Sequence, residues 1–438
     1  MINNRLIRKK SIKPSKLIEI YLFFILFYSS SIWKIVITDS NYESMLNRMI
    51  IWINLLLVCV FLFSRSNYIK KNSLVNSFVG ALAIYIILFI IIQVIYGYDR
   101  YGKSFSDSLL KLRNYTNILL LLPVIYVYNV KYRNEKKTCW EKGFNQIIIV
   151  TMSSLILRMG ISLYYSLTGT VLWESIAREY AAENWVRNGI LRINPTAFGI
   201  ILPLMSLYMI NYYKKKHRKY IYMCALVISS IFTLYISQTR IDVMAILVSI
   251  VFFFFANGKL DKKKFFYSIL LVAAIGYMLY FTDIPKEFFN TFSTKGEYGM
   301  STLNRINEID YFGQLFKEHP LLGLGPLSSA DTDFIGLLRG KSKIYFLEDL
   351  GILGGIFNYG ILGGSISIIL IGRLFYILAK LKKDKRVRAN KLKAFVLAYI
   401  AYLIVFSIGH DMLYIMYSWV VPFLYGAIES EYYQIRCY

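Results

Sequence analysis

Apolar residues in this chain come in long runs, without period-two alternation, separated by short polar stretches. The runs cover 17–37, 46–63, 74–96, 109–130, 144–167, 190–211, 221–236, 241–256, 265–282, 352–379, 394–407 and 412–428. A helix needs about 20 apolar residues to cross a hydrocarbon core ~30 Å thick. Water is absent there, so each backbone group must be satisfied within its own segment, and a helix does this. The missing alternation argues against an outer-membrane barrel. The pattern predicts an all-α polytopic membrane protein of about 12 transmembrane helices, one integral membrane domain over residues 1–438. Only 284–345 is too long for a simple connection, and long loops are usually functional or disordered.

The formal net charge is +25, and its placement matters more than its size. Segments 1–16, 64–73, 131–143, 212–220, 257–264, 380–393 and the C-terminus carry 32 Lys and Arg, whereas the short loops alternating with them carry five. By the positive-inside rule the first set is cytoplasmic, both termini included. These juxtamembrane cations read as topology signals that also meet anionic membrane lipid, so no nucleic-acid partner is expected. The basic start runs into a long apolar segment without a small-residue cleavage site, which predicts a retained signal anchor. None of Cys59, Cys139, Cys224 and Cys437 falls in a predicted outer loop, so no structural disulfide is expected.

Chemistry is therefore sought on the outer face. In the long loop, Ser301 and Thr302 are potential caps for a helix carrying Leu303, Ile306, Ile309, Phe312 and Phe316 on one stripe. It should end near His319-Pro320, because proline disfavours helical geometry in the residue before it. Gly323, Gly325 and Pro326 then make a tight turn. The prediction is an amphipathic helix on the membrane surface.

In the 169–189 loop, Trp173, Ile176, Ala177 and Tyr180 share a helical face. Glu174–Arg178 and Glu183–Arg187 stand at i, i+4, so these arginines fit either a solvated, pair-stabilised face or a ligand site. Arg240, in the minimal turn 237–242, is a stronger candidate, because charge at membrane depth usually faces a cavity or a partner such as Asp242. Arg158 and Arg192, near the outer ends of two spans, fit the same role or simple snorkelling. Several outer arginines suit a polyanionic ligand, since a guanidinium stays charged and binds phosphate bidentately. A lipid-linked diphosphate fits that description. With only His217, His319 and His410 in the chain, a multi-histidine metal site is not available, and Asp331 and Asp333 alone are a weak metal signal.

Ser237–Arg240 at a helix junction, Asn304-Arg305 in the loop helix and 318–325 (Glu-His-Pro-Leu-Leu-Gly-Leu-Gly) together form a pattern. It continues through 349–354 (Asp-Leu-Gly-Ile-Leu-Gly) and 358–363 (Asn-Tyr-Gly-Ile-Leu-Gly). In order and topology this resembles the bacterial repeat-unit polymerases of the O-antigen and capsule family (Wzy-type), relatives of the O-antigen ligases, over most of the chain. Arg178 followed after ten residues by Gly189 is also similar to an outer-loop pattern of such polymerases.

The resemblance implies a metal-independent, cofactor-free glycosyltransferase on a GT-C-like scaffold in the bacterial inner membrane. Its substrates would be undecaprenyl-diphosphate-linked oligosaccharides, with a chain-length regulator and a flippase as further partners. Arg240 and Arg305 would act on the leaving diphosphate, with Arg178, Arg187, Arg192 and Arg158 binding it. A general base would take the acceptor's proton. Many relatives carry a histidine before the helix after the large loop, whereas this chain has Glu348 and Asp349 there. A carboxylate, His319 or His410 would then fill the role, although a helix start favours acids in any case.

Two other readings compete. A sister ligase transfers finished glycan once. A flippase or transporter usually shows internal repeats and broken midplane helices, neither of which is evident in the sequence.

Overall fold

The computed structural model describes residues 14–36, 39–63, 73–131, 143–177, 186–187, 189–213, 216–256, 299–327, 332–340, 345–413 and 417–437. The helices are α1 (Pro14–Ser29), α2 (Ser40–Phe63), α3 (Ser73–Tyr101), α4 (Phe105–Lys111), α5 (Arg113–Ile118), α6 (Leu121–Tyr126), α7 (Asn145–Thr168) and α8 (Glu174–Ala177). After a two-residue antiparallel ladder of β1 (Val186–Arg187) and β2 (Ile190–Leu191) come α9 (Leu202–Tyr212), α10 (Lys216–Ile231), α11 (Arg240–Ala256) and α12 (Gly299–Glu318). The chain closes with α13 (Ile335–Arg339), α14 (Ile352–Leu381), α15 (Val387–Gly409) and α16 (Val420–Cys437). Six helical stretches among the described residues are long and apolar enough to cross a membrane: Asn41–Phe61, Phe78–Tyr101, Asn145–Thr168, Lys219–Ser237, Ile352–Leu381 and Val387–Gly409. The all-α polytopic class is as expected. The predicted span 265–282 and the loop residues 284–298 lie outside the described residues.

Two predicted spans are not single helices. Run 109–130 breaks into α4, α5 and α6: Leu112 leaves helical geometry between Lys111 and Arg113, and Pro123, which has no N–H, stands in the last piece. Run 190–211 becomes helical only from Leu202, because Pro195 bars helical geometry at Asn194 and the ladder occupies the start. Interrupted helices thus exist where the sequence suggested none. In the 169–189 loop, Glu174 opens a four-residue helix and Arg187 sits on a strand, while Arg178 and Glu183 lie outside the described residues. Ser301 and Thr302 lie inside α12 rather than at its cap.

The other departure is in α14. Thirty residues at about 1.5 Å each exceed the ~30 Å hydrocarbon core. Gly360, at φ 68° and ψ −174°, breaks the helix and leaves roughly one core thickness beyond it. Into that break fits the His-Pro-Leu-Leu-Gly-Leu-Gly turn, backbone to backbone. Leu324 N and Gly325 N donate to Phe357 O and Asn358 O (3.1 and 2.7 Å), while Ile361 N and Leu362 N donate to Pro320 O and Leu321 O (2.9 and 3.3 Å). From α3, fully buried Gln93 donates to Leu322 O and Tyr359 O, Tyr96 to Gly323 O and Tyr101 to Leu324 O. Nearby, Gly351 (φ 58°) lets the start of α14 lie against Ser407 O and Ile408 at the end of α15.

The opposite end of the bundle is held by charge. Arg373 of α14 donates twice to buried Glu429 of α16 (2.6 and 2.9 Å), and Arg388 of α15 pairs with buried Glu431. The Arg373–Glu429 pair, with both side chains largely withdrawn from solvent, is costly to break, at roughly 3–5 kcal/mol for loss of one partner.

A Cβ at Gly360 would lie 2.1 Å from Leu321 O. Gly360→Ala should therefore destabilise the protein by at least the ~1–3 kcal/mol of a strained residue. Thermal unfolding of the purified protein in detergent will show this as a lowered midpoint.

Candidate active site at one end of the bundle

The break between α4 and α5 turns Lys111, Arg113 and Asn114 into a cavity of about 320 Å³. Opposite them stand Arg339 from α13, Glu348 from the turn before α14, Asn358 and Tyr359 from the α14 break, and Asp411 after α15. Tyr359 is held across it by donating to Lys111 O (3.2 Å). Cations therefore face carboxylates around one space. Two polar atoms lining it, Asn114 Oδ1 and Asn358 Oδ1, are buried without a hydrogen-bond partner in the structure. Such acceptors suit the hydroxyls of a saccharide.

Asp411 is pushed up to about 6 by burial, with the Leu413 N–H to its Oδ1 (3.0 Å) opposing the shift. A carboxyl in that range is poised to take a proton near neutrality. Glu308, on α12, is almost wholly buried, and its Oε1 accepts from Phe346 N (3.1 Å). Burial first, then the charges of Asp349 and Glu348, push it up to about 7 against the Phe346 hydrogen bond and Arg305. It anchors the strand of chain that carries Glu348. The Phe346 ring also receives the Arg339 guanidinium at 3.9 Å, so one short segment places a carboxylate and a cation together.

A second cavity, about 100 Å³, lies beside the first, and Arg113 lines both. Lys34, Arg158, Thr196 and the rings of Trp33 and Trp419 belong to its wall. Arg158 is 6% exposed and donates to Asn194 O (3.2 Å).

Of the residues singled out from sequence, Glu348 and Arg158 line cavities. Asp349 is exposed next to Glu348 but does not line the space. Arg305 is exposed on α12, three residues before Glu308. Arg192 Nε donates to Ser237 O (3.1 Å), tying β2 to the turn before α11. His319 packs near Tyr96, with ring centroids 6.1 Å apart, and its carbonyl accepts from Gly323 N. His410 Nε2 lies 3.5 Å from Asp242 Oδ1, and Asp242 is 1% exposed. This carboxylate–imidazole contact joins the start of α11 to the end of α15. Arg178 lies outside the described residues, and only the backbone is described for Arg187 and for Arg240, which opens α11. On α12, Phe312 is buried while Leu303, Ile306 and Ile309 remain exposed, so the predicted apolar stripe packs against the protein only in part.

Residues 224–359 match the family model described as O-antigen ligase. No curated protein matches the chain. The matched segment contains Arg240, Arg305, Glu308, Arg339, Glu348 and the 318–325 turn, and it ends at Tyr359, one residue before the break at Gly360. It agrees with the resemblance read from the sequence and supports a membrane glycosyltransferase-like enzyme of ligase or polymerase type. Lys111, Arg113, Arg158 and Asp411 complete the two cavities from outside that segment.

Sequence reading missed Lys111, Arg113, Arg339, Asp411 and Glu308. The signal for the first two was present: two cations flanking Leu112 inside an apolar run. Glu308 was also visible as an acid four residues before Phe312 on the buried face of α12.

Because the Glu308 carboxyl is raised in the folded state, the fold binds its proton more tightly than the unfolded chain does. Its contribution to stability is largest below the unfolded value and falls as pH rises towards about 7. Glu308→Gln should flatten that part of the melting-temperature profile. Unfolding midpoints of both proteins between about pH 4.5 and 7.5 will test this.

Proposed function

We propose that the protein is a polysaccharide polymerase. It joins undecaprenyl-diphosphate-linked oligosaccharide repeat units on the outer face of a bacterial plasma membrane, with both chain termini in the cytoplasm. The observation that carries this reading is the cavity in which Lys111, Arg113 and Arg339 face Glu348 and Asp411. In chemical terms, the acceptor hydroxyl oxygen attacks the anomeric carbon of the donor. The bond from that carbon to the phosphate oxygen breaks, and its electron pair stays on the lipid diphosphate. Cations stabilise that charge as it develops. The hydroxyl proton passes to Asp411, with Glu348 orienting the acceptor at the rim. Arg240, which opens α11, and Arg305, on α12, act on the leaving diphosphate. Product and donor remain lipid-linked at the membrane, where a chain-length regulator and a flippase would act as partners.

Purified protein given a defined lipid-linked repeat unit should produce a ladder of products. Asp411→Asn should lower its rate by about 10²-fold or more, the usual worth of a positioned base. Arg240→Ala and Arg305→Ala should abolish the ladder, and an intact ladder from both folded variants rules this mechanism out. A single addition instead of a ladder identifies a ligase. The interrupted α4–α6 stretch and the break of α14 at Gly360 are the features that favour a transporter. Lipid-linked substrate crossing vesicles without a new glycosidic bond would establish that reading.

A further inference from the structure

Among its described residues α12 buries only Glu308 and Phe312. Phe312 belongs to a small apolar cluster with Leu338 of α13, Leu350 of the turn before α14 and Phe357 of α14, separate from the main core. A carboxyl in such a setting carries a desolvation penalty that a leucine would not. Glu308 Oε2 makes no hydrogen bond among the described residues, and burial is the first cause that pushes the group up to about 7. What the carboxyl supplies is one acceptor: Oε1 takes the Phe346 N–H at 3.1 Å, just ahead of Glu348. Tyr311 stands on the same face, since residues three apart on a helix are neighbours. Its hydroxyl donates to Gly336 O and Leu337 O of α13 (3.1 Å each), just ahead of Arg339. Its ring packs near that of Tyr345, with centroids 5.3 Å apart. The two held segments also meet each other. Tyr345 N donates to Arg339 O (3.2 Å), and the Arg339 guanidinium lies 3.9 Å from the centre of the Phe346 ring.

We infer that Glu308 and Tyr311 are positioning residues of the reaction. Helix α12 acts as a bracket: Glu308 sets the segment that carries Glu348, and Tyr311 sets the segment that carries Arg339. This deepens the proposed function and rests on it, because both held groups line the cavity in which the chemistry is placed. The need is physical. Arg339 and Glu348 have opposite charges on two short segments that touch, and without an outside hold they would collapse onto each other instead of facing a substrate. A helix suits that task, because the spacing between its residues is fixed. Neither Glu308 nor Tyr311 lines the cavity, so each acts through the segment it holds. The buried carboxyl, unfavourable for packing, is explained by the one backbone amide that it fixes.

The test uses the full chain in detergent and reads amide hydrogen exchange and reaction rate separately. Glu308→Leu should speed exchange in 345–350 about tenfold, and Tyr311→Phe should do the same in 335–339, the scale of one or two lost hydrogen bonds. Each should leave the other segment within about twofold. Glu308→Gln keeps an acceptor for the Phe346 N–H and should restore the parent's exchange and rate. With a defined lipid-linked repeat unit, Glu308→Leu and Tyr311→Phe should each slow the ladder about fivefold or more. In a Glu348→Gln background Glu308→Leu should act less than about twofold, and likewise Tyr311→Phe in an Arg339→Gln background, because a residue that works through another adds little once that one is gone. A merely structural residue would slow either background in full. Tyr311→Phe, which removes one oxygen atom, decides the matter if Glu308→Leu does not fold. The inference is overturned if a folded variant leaves exchange in its own segment unchanged, or if its effect persists in full in the paired background. The expected exchange pattern in a protein that makes no glycosidic bond would sink the polymerase reading alone. A product ladder that both variants leave at the parent's rate would sink the bracket alone.

Discussion

Everything at the site end depends on one set of backbone hydrogen bonds, those between 320–325 and 357–362. A helix that breaks at Gly360 exposes carbonyls and amides that would otherwise be satisfied within it, and in a membrane protein no water is at hand to compensate. The glycine-rich turn supplies the missing partners, and Gln93, Tyr96 and Tyr101 cap its own carbonyls from α3. The break is thereby fixed rather than loose. It aims Asn358 and Tyr359 sideways into the cavity instead of along a continuous helix. Glycine is needed at 360 because the conformation is left-handed and the partner backbone is in contact.

The second interruption works with the first. Splitting the 105–126 stretch into three short helices leaves irregular backbone and two cations near the end of the bundle. Such backbone is tolerated in a membrane protein only where it is buried or lines a polar space. Here it does both: Asn114 and Thr116 are buried, while Lys111, Arg113 and Asn114 line the large cavity. Tyr359 then bridges the two broken helices by donating to Lys111 O. The two breaks are one construction, and the cavity is the space between them.

The helical class and six long spans among the described residues were legible, because apolar length is a strong signal. The glycine motifs were legible as a resemblance, although their physical role, a backbone interlock, needed the fold. The breaks were harder to see. Leu112 carries no sequence mark of its departure from helical geometry, and Pro123 stands downstream of the residues that matter. The site was read through arginines in turns, which favoured Arg240 and Arg305 and passed over Lys111 and Arg113 inside an apolar run. Arg339 and Asp411 were passed over because their neighbours in space come from distant segments. A carboxylate beside a histidine, as at His410-Asp411, looks ordinary until Gly355 and Asn358 are seen opposite it.

The two ends of the bundle solve opposite problems. At one end Arg373 and Arg388 pair with the buried carboxylates Glu429 and Glu431 and tie α14 and α15 to α16. At the other, charges of both signs are gathered around one space. Ion pairs that satisfied one another fully would bind no anion, and cations without nearby acids could not remove a proton from a hydroxyl. Lys111, Arg113 and Arg339 set around Glu348 and Asp411 in one cavity meet both needs. It also requires walls that do not drift, because charges a few ångströms apart in a low dielectric would otherwise collapse onto each other. The salt-bridged half of the bundle and the hydrogen-bonded interlock provide those walls, so the locked end is what permits the charged cavity at the other.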